Sequence, residues 1–226
     1  IRMGDDGLRD GMAEYILMNV LMHHRSVPQF IAQQRNATWR RAFSRPASSV
    51  RVGIMGYGAL GQRSAAALKP IGYDIAAWSN SPKEAEDGVT HFTGVDAFND
   101  FLGRTDILVG LLPETEATIG LMNAANLGAL PKGAAIINAG RGQLIDLDAL
   151  IAALDSGHLS GATLDVVPEE PLAENHPLWR HEKVIITPHI AAITRTETAA
   201  NYIVKNIKRM KAGEPPQNML NRNRGY

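Results

Sequence analysis

The chain has 226 residues, 45% hydrophobic and 20% charged, with 23 basic and 23 acidic residues in formal balance. Those proportions describe an ordinary globular chain long enough for a substantial core, and the zero net charge gives no electrostatic footing for a nucleic-acid or membrane partner. No apolar run approaches the roughly 20 residues of a membrane-spanning helix, no stretch reads as a signal peptide, and a sequence without cysteine excludes disulfides and suits a reducing, cytoplasmic setting.

The chain opens on Ile1-Arg2, close to a helical pattern, and so reads as the tail of a longer protein. Apolar residues at Leu8, Met12, Tyr15, Ile16, Val20, Val27, Phe30 and Ile31 recur at helical spacing, which predicts a long helix over 8–34 that Pro28 breaks or kinks. The polar stretch 36–49, with Arg40, Arg41, Arg45 and Pro46, reads as an exposed connection: a solvated loop, or an arm laid against a partner subunit. From residue 50 the pattern changes. Short apolar runs at 50–55, 74–78, 90–93, 106–111, 134–138, 162–167 and 184–187 alternate with helical stretches at 58–68, 95–102, 123–127 and 146–156. A last helix is expected over 194–211, ending at Gly213 before Pro215 and Pro216. Such alternation argues for βαβ units and a doubly wound parallel α/β sheet.

The first of those runs leads into Gly56-Tyr57-Gly58-Ala59-Leu60-Gly61, a Gly-x-Gly-x-x-Gly between a strand and a helix. In that context Gly56 allows the tight turn, Gly58 lets backbone approach a pyrophosphate, and Gly61 lets the helix pack on the strand; the amides of Ala59 and Leu60 point at the phosphates. The sequence therefore predicts a dinucleotide site. NAD-specific folds place an acid at the tip of the second strand. Here Asp74 stands at the start of that strand, and the tip carries Ser79 and Asn80, with Lys83 nearby. Hydroxyl, amide and ammonium tolerate a 2′-phosphate that a carboxylate repels, so NADP(H) is expected in preference to NAD(H), which remains possible because no arginine is present to clamp the phosphate.

Three short contexts bearing ionisable residues follow later strands. Arg141 lies in Asn-Ala-Gly-Arg-Gly (138–142), His189 in Thr-Pro-His-Ile-Ala-Ala (187–192), and Glu169 and Glu170 in Asp-Val-Val-Pro-Glu-Glu-Pro-Leu (165–172). In a parallel sheet ligands bind beyond the carboxyl ends of the strands, so arginine, carboxylate and histidine are expected to converge there. That set suits anchoring an anionic substrate and moving a proton. The other six histidines (23, 24, 91, 158, 176 and 181) lie in no such context, and no His/Asp/Glu cluster has metal-ligand spacing.

Taken together, the glycine motif, Leu111-Leu112-Pro113, Gly120-Leu121-Met122-Asn123, Leu130-Pro131-Lys132-Gly133 and the segments 138–142, 164–172 and 187–192 resemble the D-isomer-specific 2-hydroxyacid dehydrogenases, essentially end to end. Trp78-Ser79, His176-Pro177-Leu178-Trp179, the run Ala191-Ala192-Ile193-Thr194-Arg195 and the terminal Arg224-Gly225-Tyr226 resemble more narrowly the family's glyoxylate/hydroxypyruvate reductases of type A. The resemblance selects Glu170, which immediately precedes the Pro-Leu pair, over Glu169. It implies hydride transfer between NAD(P)(H) and a small 2-keto or 2-hydroxy acid. Arg141 would hold the substrate carboxylate, His189 would be the general acid, and Glu170 would orient it. It also implies cofactor contacts at Ala59, Leu60, Ser79, Leu112, Pro113, Ala117, Ala139, Asp165 and His189, with Asp165 facing the nicotinamide carboxamide. By the same resemblance, 1–7 is a hinge from a substrate domain mostly absent from this chain, which alone would turn over poorly. Residues 8–190 form the dinucleotide-binding domain, within which 8–49 form a homodimer-building helix and arm, and 191–226 rejoin the substrate domain. Two other readings stay open: an NAD-linked phosphoglycerate- or lactate-type dehydrogenase, and a cofactor-sensing module without turnover.

Overall fold

The computed structural model describes residues 4–194 and 196–219. Residues 1–3 of the expected hinge, Arg195, and 220–226 with Arg224-Gly225-Tyr226 lie outside the described residues. Seven strands, β1 (Arg51–Met55), β2 (Asp74–Ser79), β3 (Val89–Thr93), β4 (Ile107–Gly110), β5 (Ala134–Asn138), β6 (Leu159–Leu164) and β7 (Val184–Ile186), form one sheet in the order β3-β2-β1-β4-β5-β6-β7. All neighbouring pairs are parallel. The winding reverses between β1 and β4, the place where doubly wound sheets open a ligand crevice.

Both faces of the sheet are covered, because side chains alternate along each strand and the central strands are apolar on both sides. Val52, Ile54, Ile75, Val109 and Ile137 pack with α1 (Asp6–His24) and α3 (Ala59–Leu68). Met55, Leu108, Ile136, Ala162 and Leu164 pack on the opposite side with α4 (Phe98–Gly103), α5 (Ala124–Gly128) and α6 (Leu147–Asp155). The expected doubly wound α/β fold is the one observed. Among the described residues no helix is long and apolar enough to cross a membrane.

Three elements depart from the sequence reading. The helix expected over 8–34 is two, α1 and α2 (Val27–Arg35). The break falls at Arg25 and Ser26, with Ser26 at φ 55°, and Pro28 sits in the first turn of α2. There its missing N–H is harmless, whereas in a continuous helix its ring would collide with the carbonyl of His24. Strand β6 was expected over 162–167 but runs from Leu159 to Leu164, paired from Ala134↔Leu159 to Asn138↔Leu164. Val166 and Val167 are buried as loop residues instead, and an apolar run does not distinguish the two. Helix α4 begins at Phe98 rather than near 95, after a turn in which Gly94 has φ 77° and Val95 is exposed.

At the amino end of the sheet, Asp106 joins β1 to β4. It accepts from the Arg51 amide (3.0 Å), from Arg51 Nε and Nη2 (3.1 and 2.8 Å), and pairs with Arg45 at 3.0 Å. Burial alone would raise its carboxyl, but these donors outweigh that and hold it below the ordinary aspartate value. A group depressed in the folded state contributes stability above its unfolded pKa and loses it as pH falls through the folded one. Asp106→Asn is therefore expected to lower the unfolding free energy by about 1–3 kcal/mol at neutral pH. In denaturant titrations the gap to wild type should close below about pH 4.

Candidate active site

The sheet is parallel, so the carboxyl ends of all its strands share one edge. The expected site residues fall on it. The glycine loop follows β1; Ser79, Asn80 and Lys83 follow β2; Leu112, Pro113 and Ala117 follow β4; Ala139 and Arg141 follow β5; Asp165 and Glu170 follow β6; His189 follows β7. Because β5, β6 and β7 are consecutive, the loops bearing Arg141, Glu170 and His189 leave the edge within two strand spacings, roughly 10 Å.

Each glycine of the motif has its own reason. Gly56 has φ 100°, and a Cβ there would meet Leu111 O at 2.8 Å. At Gly61 a Cβ would stand 2.3 Å from Gly56 O, so only glycine lets α3 lie this close to β1. At Gly58 a Cβ would meet nothing within 4 Å. That glycine borders open space and caps α3 without a side-chain hydrogen bond, which leaves the first amides of the helix aimed outward. This is the cradle a dinucleotide pyrophosphate fits.

The tip of β2 differs in detail from the expectation. Ser79 is buried, and its hydroxyl donates to Ser81 O at 2.8 Å, so its one hydrogen holds the turn and is not free for a phosphate. Asn80 and Lys83 are exposed. Asp74, at the other end of the strand, pairs with Arg104 at 2.5 Å. Past β4, the Thr118 hydroxyl bonds Pro113 O and accepts from the Thr115 amide, folding 113–118 into a turn with Ala117 exposed. Leu112 and Ala139 are buried.

The loop 138–142 is shaped by Asn138, which is 1% exposed. Its amide donates to Arg141 O and its carbonyl accepts from Gly140 N. Arg141 is exposed, with Nη1 donating to Gly140 O at 2.7 Å. A Cβ on the next residue, Gly142, would stand 2.0 Å from Val167 C, and Gln143 Nε2 donates to Pro168 O. The Arg141 and Glu170 loops thus lie against each other backbone to backbone.

Glu170 and His189 meet directly, His189 Nδ1 to Glu170 Oε2 at 2.7 Å. Glu170 Oε1 also accepts from the Val167 amide at 3.3 Å. Partial burial works against ionising this carboxyl. The His189 and Val167 hydrogen bonds and the nearby charges of His189 and Arg141 prevail, and it sits below the ordinary glutamate value. Ionised, it has no proton to give. The shared hydrogen therefore rides on Nδ1, and Nε2, which bonds no described residue, faces away from Glu170.

His189 has φ 56°, a left-handed backbone that histidine adopts more readily than most residues but at a cost. Asp165 holds it there. The Asp165 carbonyl accepts from His189 N, and its buried carboxylate accepts from Ile190 N and Ala191 N at 2.9 Å each and from the Thr187 hydroxyl at 2.6 Å. Thr187 in turn meets Tyr15 OH at 2.7 Å. Thr187, Tyr15 and Asn138 carry this geometry, and the sequence reading did not single them out. Thr187 was legible, since it opens the quoted Thr-Pro-His motif. Tyr15 was not, because nothing in a helical repeat reveals a partner 172 residues away. Several of the remaining histidines bond within the fold: His23 to Thr163, His24 to Tyr73 and His158 to Leu127 O. A cavity of about 630 Å³ lies elsewhere, between Asp5, Asp6 and Arg9 and α7 (Thr196–Lys211), and none of the expected site residues lines it.

Residues 17–191 match the model of the D-isomer specific 2-hydroxyacid dehydrogenase NAD binding domain. A glyoxylate/hydroxypyruvate reductase A of Salmonella newport is 40% identical over 225 residues, covering 100% of this chain and 72% of the relative. A D-isomer specific 2-hydroxyacid dehydrogenase from Xanthobacter autotrophicus Py2, solved with NADPH and MES, superposes with a TM-score of 0.96 at 45% identity and covers 100% of this chain and 93% of that one. An NADPH-dependent glyoxylate/hydroxypyruvate reductase from Sinorhizobium meliloti, solved with NADP and sulfate, gives 0.95 at 36% identity, covering 100% and 72%.

The glycine geometry separates two substitutions within the motif by what each Cβ would meet. Gly61→Ala forces α3 off β1 and is expected to destabilise the fold by about 1–3 kcal/mol, an overpacking cost. Gly58→Ala, facing open space, should leave the thermal midpoint within a degree or two, about 0.5 kcal/mol. Equal midpoints for the two variants in a melting experiment would contradict this division.

Proposed function

This chain belongs to the D-isomer specific 2-hydroxyacid dehydrogenases, NAD(P)-dependent enzymes, and from that premise we propose that it reduces small 2-keto acids, glyoxylate and hydroxypyruvate, to D-2-hydroxy acids with NADPH. The observation that carries the reading is the 2.7 Å contact between His189 Nδ1 and Glu170 Oε2, at the strand edge that also bears Arg141 and the glycine loop. Arg141 presents a planar, permanently charged fork that pairs with the substrate carboxylate and polarises the adjacent keto oxygen. His189 gives its Nε2 proton to that oxygen as negative charge develops on it. Glu170, accepting from Nδ1, orients the ring so that Nε2 points outward to the substrate. The bound nicotinamide supplies the hydride. Ala59 and Leu60 amides would receive its pyrophosphate, with Leu112, Pro113, Ala117, Ala139 and Asp165 along the rest of the crevice.

NADPH is preferred in this reading because the tip of β2 has no acid and exposes Asn80 and Lys83. The two solved relatives bound to NADPH or NADP support it. The relatives are also longer, this chain covering 72% of the Salmonella protein. We place the opposite wall of the cleft, a substrate domain joined through 1–7 and 191–226, in that additional length. The half-exposed Ile203, Val204, Ile207 and Met210 on α7 give it an apolar seat. Residues 8–190 are then the dinucleotide-binding domain. The segment 8–49 builds a homodimer, for which Met18, Phe30, Ile31, Trp39 and Phe43 supply exposed apolar surface; Trp39 is 95% exposed. A cysteine-free sequence suits the cytoplasm.

Steady-state assay of the full-length protein tests the chemistry. His189→Ala should lower kcat by about 10² to 10⁴, the range for a general acid, and wild-type kcat/KM should be higher with NADPH than with NADH. A fully active His189→Ala would refute the proton donor, and a ratio below one would refute the cofactor preference. Light scattering at micromolar concentration should return the mass of two chains; a single-chain mass would remove the dimer.

A further inference from the structure

Tyr15 and Thr187 stand between α1 and the turn that presents His189. The Thr187 hydroxyl donates to Asp165 Oδ1 at 2.6 Å, and Tyr15 OH lies 2.7 Å from the same Thr187 oxygen. A threonine hydroxyl carries one hydrogen. With that hydrogen directed to Asp165, the outer bond has Tyr15 as its donor. Burial, opposed by the Thr187 contact and reinforced by the Asp165 charge, pushes Tyr15 up to about 12, so the phenol keeps the proton the bond needs. Tyr15 is 7% exposed and sits on the face of α1 packed against the sheet.

We propose that Tyr15 is a positioning residue for the reaction: by donating to Thr187 it fixes that hydroxyl on Asp165, and so fixes the left-handed turn from which His189 meets the substrate oxygen. This rests on the reading of His189 as proton donor. The chain of donors runs one way, Tyr15 to Thr187 to Asp165, and Asp165 takes its other hydrogen bonds from Ile190 N and Ala191 N on the far side of His189. Without the Tyr15 proton, the Thr187 oxygen is left under a helix with an unmatched lone pair, and its hydroxyl loses the partner that sets its rotation. The turn is then held from one side only. A general acid has to come within about 2.6–3.2 Å of the atom it protonates, so a small tilt of the imidazole weakens proton delivery. The glycine loop and the β2 tip follow other strands, so the loss falls on kcat more than on NADPH affinity.

The test is a double-mutant cycle in the full-length protein. Tyr15→Phe, which removes only the hydroxyl, is expected to lower kcat about 2- to 12-fold, what one hydrogen bond supplies. KM for NADPH should stay within about twofold and the thermal midpoint within about 3 °C. Thr187→Val should do at least as much, Thr187→Ser should restore activity, and Tyr15→Phe combined with Thr187→Val should be no slower than Thr187→Val alone. Unchanged kcat in Tyr15→Phe overturns the proposal, as does full additivity in the double variant. If Tyr15→Phe fails to fold, Thr187→Val against Thr187→Ser decides: equal kcat in those two overturns it. His189→Ala run alongside separates the levels. Wild-type kcat there removes the underlying reading, whereas a collapsed His189→Ala beside an unaffected Tyr15→Phe removes only the role of Tyr15.

Discussion

A buried carboxylate has to be matched by hydrogen bonds or it costs more than the fold tolerates. Asp165, 3% exposed one residue past the end of β6, is such a group. The backbone that satisfies it is the segment 187–191, so the requirement to satisfy Asp165 is also the requirement that this segment fold back over it. His189 lies in the middle and takes a positive φ as the consequence. Its ring is thereby turned to Glu170, and the rest of the site is arranged around that pair. The close approach of Gly142 to Val167 brings the Arg141 loop alongside. Helix α1 backs the whole arrangement through Tyr15 and Thr187.

The opposite half of the edge obeys a different constraint. Around the glycine loop the problem is space, and each glycine resolves a different contact: a turn against Leu111, an open face at Gly58, a helix pressed on Gly56. The two halves meet at the switch between β1 and β4, where the winding of the sheet reverses and a crevice opens by topology alone. The glycine loop and the His189–Glu170 pair share one edge as a consequence of one parallel sheet, with the side chains supplied by loops. The same topology sets His158 and His181, which shortly precede β6 and β7, toward the opposite edge.

Much of this was legible in the sequence. The alternation of apolar runs with helical stretches gave the doubly wound sheet, and β5 was read to the residue. Where the reading slipped, one signal covered two structures. Ala-Thr-Leu-Asp-Val-Val looks like a strand throughout, but Val166 and Val167 are buried by packing after the ladder has ended. Leu159-Ser160-Gly161, which begins the strand, looks like a turn. Pro28 marked the interruption of the first helix, displaced because proline belongs to the start of the second. Arg141, Glu170 and His189 could be named from their contexts, Glu170 only through family resemblance. What the sequence withheld was side-chain partnership: that Ser79 turns its hydroxyl to Ser81, that Asp165 clamps the His189 turn, and that Tyr15 reaches Thr187 across most of the chain.

The central claim is that His189, held by Glu170, delivers a proton to the keto oxygen of a substrate whose carboxylate Arg141 binds. A crystal structure of the full-length protein with NADP and oxamate, an unreactive 2-keto acid mimic, measures this directly. The account predicts His189 Nε2 within about 2.6–3.2 Å of the oxamate carbonyl oxygen and the Arg141 guanidinium bidentate on its carboxylate. Oxamate bound with its carbonyl turned away from His189, or with its carboxylate on residues other than Arg141, would contradict it.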